Sequence, residues 1–250
     1  MKGMIKYMDK KTVLVTGGSR GIGKEIVRNL ARSDFNVILN YNNSEREAIE
    51  TKKELAKIQK NIEIFKADVS KQSDVKKLIE FSISKYKKID ILINNAGIDQ
   101  IKMFQDITVS DWNKMIKTNL TSCFYTIQEV LPGMISRKDG CIINISSIWG
   151  QTGAACEVHY AVSKAGMDAI TKSLAKELGA SNIRINSIAP GIIDTDMNKN
   201  LSKMEMEKLI YEIPLGRIGR VEEISKCVKW LIEDTYITGQ IININGGWYI

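Results

Sequence analysis

The segment TVLVTGGSRGIGKEI, residues 12–26, joins a run rich in β-branched residues to a helical pattern through a glycine-rich loop. Gly17, Gly21 and Gly23 permit a tight turn and let the backbone lie close to a ligand. A helix that begins directly after such a loop points free N–H groups and the positive end of its dipole at an anion. The segment therefore predicts a strand, a phosphate-binding loop and a helix; the alternative is a glycine turn that binds nothing.

The rest of the chain repeats this alternation of strand and helix. Short apolar runs alternate with longer amphipathic stretches. The runs are NVILNY at 36–41, IEIFKAD at 62–68, IDILINNAG at 89–97, CIINISS at 141–147, IRINSIAPG at 183–191 and GQIININGG at 239–247. Because their interiors are nearly all apolar, we expect parallel strands covered by helices on both faces. With right-handed crossovers, the pattern predicts an α/β fold: a single doubly wound Rossmann-type domain over residues 1–250, with a seven-stranded parallel sheet.

Composition limits the classes of protein to which the chain could belong. With 250 residues, 44% of them hydrophobic, it can bury one large core. Its four cysteines are too widely spaced for a metal-type pair and too sparse for a disulfide framework, which fits a reducing cytoplasm and no bound metal. No signal peptide and no run of about 20 apolar residues is present, so we expect no membrane partner.

The net charge of +7 comes largely from lysines in amphipathic segments such as ETKKELAKIQK at 50–60. Such spacing indicates solvated helix faces and no nucleic-acid partner, since a nucleic-acid binder would concentrate its basic residues on one surface. Residues 1–10 precede the first strand, so we expect them to be a flexible extension. Translation could begin at Met1 or at Met8.

The end of the second strand bears on the choice of cofactor. Sites that prefer NAD usually place a carboxylate there for the ribose 2′-hydroxyl, whereas this chain has Tyr41, Asn42, Asn43 and Ser44. A carboxylate would repel a 2′-phosphate, but neutral donors and the guanidinium of Arg20 would accept one. The pattern predicts NADP(H), although Arg20 could instead be a surface charge at the helix start.

Polar and small residues follow the third and fourth strands, at 68–69 and 94–97. The carboxyl ends of parallel strands share one edge of the sheet, where ligands bind. Asp68 could accept a hydrogen bond from an adenine amino group, and Gly97 would let the backbone lie against a ribose. The alternative is that these are ordinary turn residues.

Ser147, Tyr160 and Lys164 form the candidate chemical group. Tyr160 and Lys164 are four residues apart at the start of a helix and share a face. An adjacent ammonium stabilises a phenolate, so together with an oxidised nicotinamide it could lower the pKa of Tyr160 from its usual value of about 10 towards neutrality. Ser147 ends the fifth strand, where its hydroxyl could bind a carbonyl oxygen that gains charge. A Tyr-x-x-x-Lys pair alone would mean little, but after the glycine loop it predicts hydride transfer with Tyr160 as the acid.

With these motifs, the chain resembles the short-chain dehydrogenase/reductase family from Thr12 to Ile250. The resemblance implies a fourth catalytic residue, Asn119, which would hold a proton-relay water. It also implies a homotetramer in which two long helices, at 110–136 and 160–178, pack against their symmetry mates. The motifs and the resemblance together predict the following cofactor-binding residues: Gly17, Ser19, Arg20, Gly21, Ile22, Gly23, Tyr41, Asn42, Asn43, Ser44, Asp68, Val69, Asn95, Ala96, Gly97, Tyr160, Lys164, Pro190, Gly191, Ile193 and Thr195.

Similarity within the family is strongest to the bacterial 3-oxoacyl-acyl-carrier-protein reductases. It implies NADPH-dependent reduction of a ketone to a secondary alcohol in fatty acid synthesis, which is the substrate that we favour from the sequence. Such reductases dock an acidic acyl carrier protein through basic residues near positions 138 and 181; this chain has Lys138 but Ser181.

Two local segments, SSIWG at 146–150 and CEVHY at 156–160, are more similar to a related reductase group. That group is thought to act on the ketone of a 5-aminopentanone-modified lysine of elongation factor P. Trp149, Glu157, His159 and Met197 would then form a pocket for a short cationic substituent. His159 could instead be a loop or interface residue without a chemical role.

Residues 191–219 interrupt the strand-helix alternation after the sixth strand, so we predict a mobile substrate lid with a Met-rich helix, or else simple core packing. A non-catalytic cofactor-sensing module is the remaining alternative. Such a module would tolerate loss of the serine, tyrosine or lysine, and all three are present.

Overall fold

The computed structural model describes residues 10–58, 61–198 and 202–250, without the side chain of Met197. The predicted extension at 1–10 and the start at Met8 therefore fall almost entirely outside the described residues. The strands are β1 (Thr12–Val15), β2 (Asn36–Tyr41), β3 (Ile62–Lys66), β4 (Ile91–Asn94), β5 (Gly140–Ile145), β6 (Ile183–Pro190) and β7 (Ile241–Ile244). The helices are α1 (Gly21–Ala31), α2 (Glu45–Leu55), α3 (Gln72–Tyr86), α4 (Val109–Ile116), α5 (Ser122–Arg137), α6 (Trp149–Thr152), α7 (Val158–Leu178), α8 (Lys203–Glu212) and α9 (Val221–Glu233).

Within the described residues, seven parallel strands form one sheet in the order β3-β2-β1-β4-β5-β6-β7. The order reverses between β1 and β4, which makes their carboxyl ends the switch point where doubly wound sheets bind ligands. The predicted fold class is confirmed.

Alternate residues of each strand enter two apolar cores, one on each face of the sheet. Val13 and Val15 of β1 pack with α1, α2 and α9. Leu14, between them, packs on the other face with α3, α5 and α7. Because both faces are covered, the strand interiors are apolar throughout, and the sheet is a rigid base for the residues at its carboxyl edge.

Two helical regions differ from the sequence prediction. Helix α7 begins at Val158 rather than Tyr160. The long helical region predicted at 110–136 consists of α4 and α5, joined by a π-helical turn at Lys117–Thr121. A π turn contains one more residue than an α turn, and such turns are frequent at functional sites. Here the turn contains the buried Asn119. Among the described residues, every helix is too short or too polar to cross a bilayer.

Candidate active site

The glycine loop after β1 forms an anion-binding helix start. Gly17 and Gly21 have positive φ angles of 62° and 53°, and a Cβ atom at Gly23 would lie 2.3 Å from the carbonyl oxygen of Gly17. Helix α1 has no acidic residue in its first turn and no side-chain cap on its N–H groups. The loop therefore has the shape and the polarity that a phosphate group requires.

Asn95 and Thr16 tie the glycine loop to the end of β4. The Asn95 side-chain amide donates hydrogen bonds of 3.0 Å to the carbonyl oxygens of Thr16 and Gly17. The Thr16 hydroxyl in turn accepts from the backbone N–H groups of Asn95 and Ala96, also at 3.0 Å. Asn95 and Ala96, which we predict to bind cofactor, thus also hold the loop in place.

The end of β2 has a neutral surface with a charged pair beside it. Tyr41 is buried and its hydroxyl lies 3.4 Å from Glu45, while Asn42 and Asn43 are exposed. Lys66, in register with Tyr41 on β3, lies 3.7 Å from Glu45. The sequence interpretation missed both Glu45 and Lys66. The in-register ends of adjacent parallel strands are the signal that could have found Lys66.

Asp68 has a turn-forming role in the structure. Its carboxylate accepts hydrogen bonds from the backbone N–H and the hydroxyl of Ser70, at 3.0 and 2.7 Å. The next residue, Val69, is buried. These contacts account for Asp68 as a turn residue, and its contact with adenine stays a prediction.

The segment after β6 closes the other side of the loop. Ile193 is buried, and a Cβ atom at Gly21 would lie 3.6 Å from the methyl group of Thr195. Gly191 packs against Asn245, where a Cβ atom would lie 2.9 Å from the Asn245 Cβ. The structure thus brings Thr195 to the glycine loop and packs Gly191 against the segment after β7.

Four predicted residues converge beyond the ends of β4 and β5. The Lys164 ammonium donates a 2.8 Å hydrogen bond to the Ile145 carbonyl oxygen and lies 5.6 Å from the Tyr160 ring centroid. A Cβ atom at Gly97 would lie 3.6 Å from the Lys164 Nζ and 3.4 Å from the Asn119 Oδ1. Gly97 is therefore the open position between the lysine and the asparagine.

Asn119 is fixed by backbone contacts from the π turn. Its side-chain oxygen accepts from the Ile98 N–H, and its amide donates to the Ile98 carbonyl oxygen, both at 2.9 Å. The amide also lies 3.1 Å from the Ser163 hydroxyl of α7. The π turn thus couples the loop after β4 to the helix that carries Tyr160.

Ser147 lies beside Tyr160 at the carboxyl end of β5. Both side chains are largely buried, and the Ser147 hydroxyl lowers the pKa of the Tyr160 phenol, so the two groups lie close together. The Ser147 oxygen also accepts from the Trp149 N–H at 3.2 Å. The pair therefore places two hydroxyls where one carbonyl oxygen could contact both.

The decrease expected in the pKa of Tyr160 depends on an oxidised nicotinamide as well as on Lys164, and it stays a prediction. Burial raises the phenol pKa above its usual range, and the carboxylates of Glu157 and Asp99 raise it further, whereas the hydrogen bond with Ser147 lowers it. Burial also lowers the pKa of Lys164 to about 8, and its ammonium is bound to a carbonyl oxygen rather than to the phenol. Tyr160 therefore holds its proton at neutral pH, as a proton donor must.

Glu157 and Asp99 make the entrance beside Tyr160 acidic. Glu157 is half-buried just before α7, and Asp99 follows β4. Burial, with a smaller contribution from Asp99, raises the pKa of Glu157 to about 7. Two carboxylates that disfavour each other's charge are stabilised by a cation between them. The sequence interpretation selected Glu157 and missed Asp99.

His159 supports the site from inside the protein and does not line its surface. The side chain is fully buried, with Nε2 2.9 Å from the Gln100 side-chain oxygen. Gln100 donates to Asp111 at 3.3 Å, and Asp111 also accepts from Lys102 at 2.8 Å. This network ties α7 to the loop that carries Asp99 and to the start of α4.

Trp248 joins the predicted site residue Trp149. The two indoles pack edge to face with centroids 5.0 Å apart, and the Trp248 N–H donates to Glu212 of α8 at 3.3 Å. Helix α8 has no buried residue, which disfavours core packing for the Met-rich segment, and the lid stays a prediction. The Met197 side chain lies outside what the structure describes.

This fold and this constellation define a dehydrogenase of the nicotinamide-dependent type, and comparison with known proteins specifies the family. Residues 11–206 match the family described as short chain dehydrogenase. The chain belongs to this family of oxidoreductases, whose members use nicotinamide cofactors.

Relatives match the chain over nearly its whole length. It is 39% identical to "Uncharacterized oxidoreductase YmfI" of Bacillus subtilis over 242 residues, which cover 96% of this chain and 99% of the relative. It is 38% identical to the 3-oxoacyl-[acyl-carrier-protein] reductase FabG of Staphylococcus epidermidis, with 96% and 99% coverage. The Chlamydia trachomatis FabG is also 38% identical, with 95% and 96% coverage.

Proposed function

We propose that this protein is a cytoplasmic, NADPH-dependent reductase that converts a substrate ketone to a secondary alcohol. The observation that carries the proposal is the convergence of Ser147, Tyr160, Lys164 and Asn119 beside the glycine loop. The loop, Arg20 and the neutral end of β2 suit the phosphates of the cofactor. When bound, NADPH supplies the hydride that reduces the carbonyl carbon.

The protein's own residues then act on the carbonyl oxygen. Tyr160, protonated because its pKa is raised, donates its proton to the oxygen. Ser147 donates a hydrogen bond that strengthens as the oxygen gains charge. Lys164 stabilises the phenolate that remains, and Asn119 orders a water that resupplies the proton. Burial of all four side chains strengthens these electrostatic interactions.

We further propose that the substrate ketone carries an amine, as the 5-aminopentanone-modified lysine of elongation factor P does. Glu157 and Asp99 raise the pKa of Tyr160, so both carboxylates act at the reacting group. A protonated amine in their neighbourhood would relieve their mutual repulsion, whereas a neutral acyl chain would bury them without compensation.

A 3-oxoacyl thioester on an acyl carrier protein is the second candidate, favoured by the printed names of the FabG relatives. Lys138 precedes β5, whereas Ser147 follows it, so the two lie roughly 20 Å apart along a strand that rises about 3.3 Å per residue. A carrier protein docked at Lys138 would need a long flexible arm to bring its thioester to Ser147. Rates of NADPH oxidation with a short amino-ketone and with an acetoacetyl thioester distinguish the candidates.

NADPH is expected to bind at least about tenfold more tightly than NADH, because Arg20 forms a charge-assisted hydrogen bond only with the 2′-phosphate. Quenching of tryptophan fluorescence measures both affinities. Tyr41→Asp should reverse the preference, since a carboxylate repels that phosphate, and Tyr41→Phe is the matched control. Equal affinities in the unmodified protein would contradict the assignment.

The family resemblance implies a homotetramer, and the apolar residues left exposed on the two long helical regions support it. Val109, Phe124, Ile135 and Val162 are exposed by 77%, 49%, 44% and 41%. Light scattering should give a mass about four times 28.1 kDa, and Phe124→Arg should reduce it, because a buried unpaired charge opposes association. A monomer mass for the unmodified protein would refute the tetramer.

A further inference from the structure

Asp168 of α7 is a buried carboxyl group without a conventional partner. Its side chain is 5% exposed, and neither carboxyl oxygen has a hydrogen-bond partner among the described residues. Burying an unpaired carboxylate is costly unless another charge compensates for it. The proposed mechanism does not use this residue.

The position of Asp168 relates it to Lys164. The two residues are four apart on α7, so they lie on the same helix face. The Lys164 ammonium binds the Ile145 carbonyl oxygen at 2.8 Å, and the hydroxyl of the next residue, Ser146, lies 3.3 Å from the Lys164 carbonyl oxygen. Ser146 and Lys164 both act on the pKa of Asp168, so both titratable side chains approach the corner that follows β5.

Among the described residues, Asp168 is the carboxyl group that raises the pKa of Lys164. Burial raises the pKa of Asp168 itself, whereas Ser146, Ser187, Lys172 and Lys164 lower it and favour the carboxylate form. From α5, the thiol of Cys123 also faces the ammonium, but burial raises its pKa to about 12, so it stays neutral. On α7, Tyr160 is a neutral phenol, and Lys172 acts on Asp168 rather than on Lys164. Ser146 and Ser187 contribute hydroxyls without charge.

Two further carboxylates, Glu157 and Asp99, act on Tyr160. Neither contributes to the pKa of Lys164, for which Asp168 does. The acidic entrance and the buried acid thus act on different members of the catalytic group.

We infer that Asp168 is a positioning residue that keeps Lys164 in its charged form during turnover. The inference rests on the proposed reductase function only for the role of Lys164. Asp168 takes no part in proton transfer to the substrate; its carboxylate stabilises the ammonium against the cost of burial.

The test is the pH dependence of Asp168→Asn, which removes the charge at nearly constant volume. Lys164, with a pKa of about 8, is an ammonium below that pH, so turnover and NADPH affinity in the unmodified protein should both fall as pH rises through 8. Loss of the nearby carboxylate lowers the lysine pKa further. The alkaline limbs of the two pH profiles, where turnover and NADPH affinity decrease, should therefore both move to lower pH by about one unit.

The matched control is Ser187→Ala, which alters the same buried cluster without changing its charge and should leave both limbs in place. Asp168→Ala provides a second test if the asparagine variant does not fold, with the same shift expected, while Asp168→Glu should restore the limb. If Asp168 has a purely structural role, its replacement should change the thermal stability or the maximal turnover and leave the alkaline limbs of both pH profiles at the same pH. That result would overturn the inference.

Failure of the inference is separable from failure of the reductase proposal. Fluorescence titration of NADPH requires no ketone. The alkaline limb of the NADPH affinity, measured in this way as a function of pH, therefore reports the ionisation of Lys164 even if no tested ketone is reduced. An unshifted limb in that titration refutes the role of Asp168, whereas a shifted limb without ketone turnover supports it and counts against the proposed function.

Discussion

Tyr160→Phe is expected to lower the turnover number on the order of a thousandfold, because the substrate oxygen then gains charge without a positioned acid. The phenyl ring fills the same buried space, and the raised pKa of Tyr160 shows that its hydroxyl is protonated before the reaction. Affinity for NADPH should change little, since the glycine loop is untouched. The measurements are the rate of NADPH oxidation and a fluorescence titration of the cofactor.

Tyr236→Phe is the matched control for this variant. Tyr236 is 96% exposed, and it follows α9, so removal of its hydroxyl should leave both measurements unchanged. A Tyr160→Phe enzyme that keeps the unmodified rate would remove Tyr160 from the mechanism. Loss of NADPH binding together with the rate would show that the hydroxyl acts through the cofactor site instead.

Most of the fold could be predicted from local patterns. The apolar strands and the glycine loop predict the parallel sheet, and the structure confirms its seven strands. These features are encoded by neighbouring residues. The π turn around Asn119 could not be predicted in this way, because a single π turn adds only one residue to an otherwise α-helical periodicity.

The chemical environment of the site was less predictable, because it depends on contacts between distant segments. The pair Tyr160 and Lys164 suggested a lowered phenol pKa, but burial, which the spacing does not encode, raises it. Asp99 approaches Glu157 only because the loop after β4 meets the start of α7. Trp248 reaches Trp149 from nearly 100 positions along the chain; only the folded structure brings such residues together.

The choice of substrate also depends on a few local contacts that similarity over the whole chain does not reveal. The names of the FabG relatives reflect similarity over the whole chain, and one fold accommodates many substrates. The proposed amine-bearing ketone rests on a few residues instead: the acidic pair Glu157 and Asp99, which act on the pKa of Tyr160, and the aromatic pair Trp149 and Trp248. Carboxylates and indole faces both attract cations.

Glu157→Gln is expected to raise the KM for a short amino-ketone on the order of a hundredfold, since removing one member of a desolvated charge pair leaves the amine without compensation. The turnover number should change much less, because the carboxylate does not touch the carbonyl group. A neutral ketone of the same length should be reduced with an unchanged or lower KM. Glu80→Gln, on the exposed surface of α3, is the matched control.

The pH profile sharpens the Glu157 prediction. Because the pKa of Glu157 is raised to about 7, its carboxylate is present above that pH and is lost as pH falls through it. The ratio kcat/KM for the amino-ketone should therefore decrease below pH 7, and this acid limb should be absent from Glu157→Gln and from the neutral ketone. If the unmodified enzyme reduces an acetoacetyl thioester rapidly and the amino-ketone hardly at all, the amine proposal is wrong. The substrate would then be an acyl group, with the acidic entrance serving another purpose.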